Sequence, residues 1–361
     1  TFPLGTTTVT WTVTDGSGNI ATATQTVTVN DITLPTITAP VAVTVNADAG
    51  SCSAAATNVT LGTPITADNC SVVSVTNNAP ATFPVGNTTV TWTVTDGSGN
   101  TATATQIVTV IDIENPTITA PADVTVNANS ACSGFNVALG TPVTADNCTV
   151  ATVTNNAPTV FPLGNTTVTW TVTDASGNTA TATQVVTVVD VTLPTIVAPT
   201  NITANADASC GVTGLALGTP VTSDNCSVAS VTNDAPATFP LGTTTVTWTV
   251  TDGSGNIATA TQTVTVNDIT LPTITAPAAV TANADAGSCF ASNMILGGIQ
   301  LGTPITADNC SVASISNNAP INFPIGNTII TWTVTDGSGN SASATQIVTI
   351  IDNENPTITA P

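Results

Sequence analysis

Lysine, arginine, histidine and tyrosine are all missing from this 361-residue sequence. Each absence closes off a class of function. Without His or Lys, proton transfer near neutral pH loses its usual carriers. A Ser or Thr nucleophile has no nitrogen base to activate it. The 21 acidic groups stand unopposed and set the net charge at −21, so a nucleic acid would be repelled. A Lys-dependent isopeptide cross-link is excluded, and trypsin finds no site. A carboxylate pair is the one catalytic arrangement the composition leaves open. The chain reads as a non-enzyme.

Aromatic residues are also scarce, at 3%, so any core must be built from Val, Ile, Leu and Ala. Apolar residues nevertheless reach 41%, too many for a disordered acidic tail. No run of about 18 apolar residues occurs, which argues against membrane insertion. No signal peptide is visible. The sequence opens in mid-repeat, and an excerpt of a longer polypeptide is expected.

What is present repeats. Tryptophans stand at Trp11, Trp92, Trp170, Trp248 and Trp332, spaced by 81, 78, 78 and 84 residues. Pro35, Pro116, Pro194, Pro272 and Pro356, each opening a P-T-I motif, keep the same spacing. Residues 1–40 recur unchanged at 238–277. A period near 80 is too long for a solenoid coil and suits a small domain. The expected organisation is a partial repeat at 1–34, full repeats at 35–115, 116–193, 194–271 and 272–355, and the start of another at 356–361. The joints NDITLP, IDIENP and VDVTLP are short and end in Pro, which favours stiff, extended connections.

Within a repeat the dominant period is two. In TTVTWTVTD, Val90, Trp92 and Val94 share one face while Thr89, Thr91, Thr93 and Thr95 share the other. TATATQIVTV alternates likewise through Ala102, Ala104, Val108 and Val110. Gln106 falls on the inward parity. Either a bulge turns it outward, or it is buried with its amide bonded to main chain. The intervening GSGN reads as a hairpin turn whose glycines can take positive φ. Residues 116–193 hold about seven short antiparallel strands and one inward Trp. The expected fold is all-β: tandem immunoglobulin-like β-sandwiches of about seven strands, arranged as an extended rod.

The cysteines fall two to each full repeat: Cys52 and Cys70, Cys132 and Cys148, Cys210 and Cys226, Cys289 and Cys310. An even count in every unit points to one disulfide inside each domain, formed in an oxidising compartment and contributing about 3 kcal/mol. Zinc fails as the competing reading for want of His and of any C-x-x-C pair; reduced buried thiols are the other. The premise is that each unit closes and staples itself. Sulfurs bridging neighbouring units would contradict it.

The ordered motifs PTITAPADVTVNANSAC, TADNC, FPLGNTTVTWTVTDASGNTATAT and VVTVVD resemble the hyalin repeat, or HYR, domain across nearly the whole chain. The resemblance implies an immunoglobulin-like fold and extracellular, adhesive or matrix-like roles. Members of that family typically carry a further cysteine pair. Its positions here hold Ala120 with Ala182, and Ala198 with Ala260. Tandem repeats of this Thr-rich, Lys-free composition are similar to segments of large bacterial surface proteins, such as the gliding-motility adhesins of Bacteroidetes. An animal matrix protein comes second.

Two readings compete for the carboxylates. Asp174 in TDASGN and Asp146 in TADNC stand where Asp caps main-chain N–H groups in turns. Alternatively, the topology brings joint and loop carboxylates to one end of each domain as a structural calcium site. The candidates are Asp31 with Asp68 and Asp96; Asp112 and Glu114 with Asp146 and Asp174; Asp190 with Asp224 and Asp252; and Asp268 with Asp308 and Asp336. No other cofactor is called for. The Thr ladders likewise read either as a polar β-face or as an array that binds ice, mineral or glycan. Sequons such as the one at Asn87 are acceptors for glycan only in a eukaryotic secretory pathway.

The function expected is that of a shaft in a long extracellular cell-surface filament or adhesin. Its partners are neighbouring repeats, other copies within a filament, a cell-surface anchor and a distal ligand, with no nucleic acid and no membrane insertion. At about 3.3 Å per strand residue, four and a half units in line make a rod of roughly 150 Å or more. The alternative is that the repeats themselves bind a glycan, mineral or ice surface. The one divergent stretch, CFASNMILGGIQLG at 289–302, is expected to be a packing adjustment.

Overall fold

The computed structural model describes residues 1–292 and 298–359. The centre of the divergent stretch, including Met294, therefore lies outside the described residues, as do the last two positions of the 356–361 segment. Among the described residues there is no α-helix. The chain divides into two compact units, Thr1–Val126 with Ser133–Val188, and Asn127–Cys132 with Val189–Pro361. The first holds an N-terminal hairpin and two sandwiches. The second holds two sandwiches of the same kind.

The alternation of Val and Thr dictates the main sheet. In the first full repeat the strands lie in the order Val43–Asn46, Thr101–Ile111, Gly86–Asp96, Val72–Asn77. Val90, Trp92, Val108 and Val110 turn inward and are buried. Two ribbons close the other side: Thr36–Thr38 pairs with Ile65–Ala67, and Ser53–Ala55 with Thr82–Pro84. Ala54 and Phe83 join the four inward residues in one core, with Ile37, Val43 and Val45 packed around it. The same order recurs in every full repeat.

Two expectations need correction. The strands are not all antiparallel: Val43–Asn46 runs parallel to Thr101–Ile111, Val43 opposite Val108 and Asn46 opposite Ile111. Both strands run toward the end at which the chain leaves the domain, and the Ala47 N–H still donates to the Ile111 carbonyl at 2.8 Å. The strand count in 116–193 is eight. Val143–Ala145, paired with Thr117–Thr119, is too short at three residues to show an alternating period.

Gln106 resolves in favour of burial. Its Nε2 donates to the carbonyls of Val41 (2.7 Å) and Leu61 (2.8 Å), and its Oε1 accepts from the Trp92 indole N–H at 3.1 Å. Neither carbonyl lies in a strand, so the glutamine supplies the partner that the sheet does not. Gln184, Gln262 and Gln346 do the same for Trp170, Trp248 and Trp332.

The cysteine pairing overturns independent stapling. Disulfides join Cys52 to Cys148, Cys132 to Cys226 and Cys210 to Cys310, each with Cα atoms 4.7 Å apart. Cys70 and Cys289 are unpaired and exposed. The geometry of one sandwich explains why its own two cysteines do not meet. The Cys52 carbonyl accepts from Val85, just before strand Gly86–Asp96, while the Ser71 carbonyl beside Cys70 accepts from Gly97, just after it. That strand has 11 residues, roughly 36 Å at about 3.3 Å each, whereas a disulfide needs Cα atoms within about 7 Å. The first cysteine of a repeat sits at the exit end, and the second cysteine of the next repeat arrives there. Loops of 94 to 100 residues replace the short ones expected. In the chain-entropy picture this raises the contribution of one bond to nearly 5 kcal/mol.

Two tests follow from this architecture. Thiol titration of the unfolded, unreduced chain should find two free thiols, Cys70 and Cys289, where bonds within each repeat would leave none. Gln106→Leu should strip partners from two carbonyls and one indole N–H, weakening its sandwich by roughly 3 kcal/mol at about 1 kcal/mol or more per group. Hydrogen exchange should show lost protection over residues 101–111 and no change over 257–267.

Candidate functional site

Among the described residues the constellation that recurs is the joint between sandwiches. At the first full joint, Asp112 directly follows strand Thr101–Ile111. The TADNC loop of the next sandwich, between Val143–Ala145 and Val150–Asn155, brings Asp146, Asn147 and Cys148 to it. One carboxylate oxygen from each of Asp112 and Asp146 and the Cys148 sulfur lie within 4.8 Å of one another. Asp190 with Asp224 and Cys226, Asp268 with Asp308 and Cys310, and Asp31 with Asp68 and Cys70 repeat the arrangement.

Hydrogen bonds fix each piece. One Asp112 oxygen accepts from the Glu114 N–H at 3.2 Å and from Asn147 Nδ2 at 3.2 Å. One Asp146 oxygen accepts from the N–H groups of Cys148 and Thr149, both at 2.9 Å. Asn147 Nδ2 also donates to the Ser51 carbonyl at 3.1 Å, one residue before Cys52. In the second unit Asn225 and Asn309 reach back in the same way, to the carbonyls of Asn129 and Asp207. Each joint is thus a disulfide flanked by an asparagine bridge. Cys70 is unpaired and exposed. Asp31, hydrogen-bonded to that thiol, raises its pKa.

The expected carboxylate sets separate into two groups. Asp96, Asp174, Asp252 and Asp336 are buried, yet both oxygens of each are engaged within the hairpin turn. One Asp174 oxygen accepts from the N–H groups of Ser176 and Asn178, the other from Asn178 Nδ2. These residues are turn caps, as one of the two readings held. Gly177 takes φ +96°, but the first turn glycine is not needed in that region, which is why Ala175 replaces it in this repeat. The hairpin also faces the joint, because Asn178 Nδ2 donates to the Asp112 carbonyl at 3.2 Å. Glu114 leaves the cluster as well: its carboxylate accepts from the Gly50 N–H at 2.7 Å. Sequence reasoning missed Asn147, Asn225 and Asn309, although the invariant TADNC or TSDNC string next to the cysteine carried the signal.

Burial raises the pKa of Asp96, Asp174, Asp252 and Asp336. The hydrogen bonds from the asparagine four residues on and from the turn N–H groups outweigh it, and each carboxyl ends below its ordinary value of 3.8. A lowered folded-state pKa means that the stabilisation is complete above the unfolded value of about 3.9 and fades as pH falls through the folded one. Melting temperature measured from pH 7 to pH 3 should therefore stay level to about pH 5 and then drop. Asp174→Asn should lower stability at pH 7 and reduce the size of that acid drop.

The match with known proteins is extensive. The HYR domain family matches residues 30–110, 111–188, 189–266 and 267–350. Hyalin of the sea urchin Strongylocentrotus purpuratus is 34% identical over 381 residues, covering 97% of this chain and 31% of that protein. Hyalin of Lytechinus variegatus is 33% identical, covering 97% of this chain and 69% of that protein. The chain thus spans about a third of the first of these relatives. Among solved structures, the protocadherin gammaB4 extracellular domain aligns over 96% of this chain and 72% of its own, with 13% identity and a TM-score of 0.32. By four consecutive matches and two relatives at this identity, the chain belongs to the HYR domain family.

Proposed function

We propose that the chain is a covalently jointed spacer within a long extracellular adhesion-type protein, transmitting tension between an anchored end and a distal binding region. The observation that carries this reading is the overlap of the disulfide loops. Cys52–Cys148, Cys132–Cys226 and Cys210–Cys310 together enclose every residue from 53 to 309, with overlaps at 132–148 and 210–226. A single break in the backbone anywhere within that span leaves the chain connected. The joint is no longer a taut hinge between separately stapled beads. It is a cross-linked junction, and tension passes through sulfur as well as through the peptide.

Other observations support the same role. Disulfides form and persist in oxidising compartments, in keeping with an extracellular setting. A surface without cationic side chains at net charge −21 stays soluble and self-repelling. The Thr-rich, Lys-free composition fits a large bacterial surface adhesin of the gliding-motility type as the parent protein. The role requires no cofactor, and a calcium ion at each joint would add stiffness to what the disulfide already locks.

The test is mechanical and chemical. With sulfurs intact, the shortest covalent path crosses from Cys52 to Cys148, runs back to Cys132, crosses to Cys226, runs back to Cys210 and crosses to Cys310. Full extension of a single molecule should therefore be about two-fifths that of the reduced chain, which reaches at most about 3.6 Å per residue. Single nicks by an Asp- or Glu-directed protease within residues 53–309 should yield fragments in reducing gels and an undivided band in non-reducing ones, whereas cuts at Asp15, Asp31, Asp48, Asp336, Asp352 or Glu354 release terminal pieces in both. Equal extension before and after reduction would remove the reading.

A further inference from the structure

The geometry points to a divalent cation site at each joint, which we assign to Ca²⁺ held by one oxygen of the joint Asp, one of the TADNC Asp and the side-chain carbonyl of its neighbouring Asn. At the first full joint these are Asp112 Oδ2, Asp146 Oδ1 and Asn147 Oδ1. All three atoms are buried, and none has a hydrogen-bond partner. This deepens the calcium reading of the joint and does not depend on the spacer role.

Proximity of carboxylates alone would say little. The second observation is that Asp112 is only 3% exposed, Asp190 7% and Asp268 6%, each with a bare carboxylate oxygen. A buried ionised oxygen without a partner is costly, and here two like-charged carboxylates approach each other, an oxygen of one within 4.8 Å of an oxygen of the other. No Lys, Arg or His exists to neutralise them. The other oxygen of each Asp is already committed to main-chain N–H groups, so neither carboxylate is free to turn away. Asn147 Nδ2 is likewise committed to Ser51 and Asp112, which leaves its carbonyl as the unused group. The same three atom types are left bare at Asp190, Asp224 and Asn225, and again at Asp268, Asp308 and Asn309.

The donor set chooses the ion. All three atoms are hard oxygens, and the nearby sulfur is tied in a disulfide, with no thiolate to offer a softer metal. Ca²⁺ accepts irregular oxygen geometry and completes its shell with water, whereas Mg²⁺ demands a near-ideal octahedron. Because Asp112 closes one sandwich and Asp146 belongs to the next, the ion would tie the two together beside the sulfur bridge.

The experiment uses the full, unreduced chain after stripping with chelator. Calorimetric titration with CaCl₂ should give three equivalents from the three buried joints, with a weaker fourth from the partly exposed Asp31 and Asp68, and should raise the melting temperature. Asp112→Asn should lose one equivalent. Asp123→Asn, a change at an exposed carboxylate that caps the Val185 N–H, should lose none. MgCl₂ should bind at least tenfold more weakly. No heat and no shift in melting temperature for the wild-type chain in millimolar CaCl₂ would overturn the site. So would a folded Asp112→Asn variant that keeps every equivalent, or bare oxygens satisfied instead by a shared proton, seen as stabilisation on acidification. None of these results bears on the extension measured before and after reduction.

Discussion

The joint depends on one constraint: the two cysteines of a sandwich lie at opposite ends of an eleven-residue strand, too far apart to bond. Each sulfur must therefore find its partner in a neighbouring repeat. That requirement brings the TADNC loop of one sandwich against the exit turn of the one before it. It also positions the asparagine that reaches the preceding main chain, and it crowds two aspartates into one buried corner. Those features recur at every full joint because the same ends meet each time.

Inside a sandwich the organising contact is different. A lone glutamine on the inward face would ordinarily be a fault in an apolar sheet. Here it links the tryptophan indole to two loop carbonyls, so that the strand bearing Trp92 and the irregular segments at Val41 and Leu61 are tied through one amide. A core of Val and Ala with one Trp and one Phe per repeat has little aromatic surface to bury. A fully satisfied polar hub then contributes specificity that shape alone supplies poorly.

Much of the fold was legible because period two is a strong signal over ten residues. The long Val/Thr strands, the inward Trp and the hairpin Asp could be read directly. The three-residue strand Val143–Ala145 could not, since its length shows no period, and its pairing with Thr117–Thr119 is non-local. The joint was legible in composition and illegible in connection. Topology placed Asp112 beside Asp146, and the structure has their oxygens close together; Asp174 and Glu114 accept hydrogen bonds from N–H groups, and sequence does not reveal which oxygens the backbone has claimed.

The sharpest division comes from two identical stretches, residues 1–40 and 238–277. In both, alternation alone forms the hairpin and joins the Trp indole to its glutamine, as Trp11 does to Gln25. Yet Trp11 is 62% exposed and Trp248 6%. The sequence by itself determined strand, register and turn, since those rest on local sterics and pairing. Burial, and which sulfurs meet, were decided only in the tertiary structure, because both require surfaces that distant residues bring.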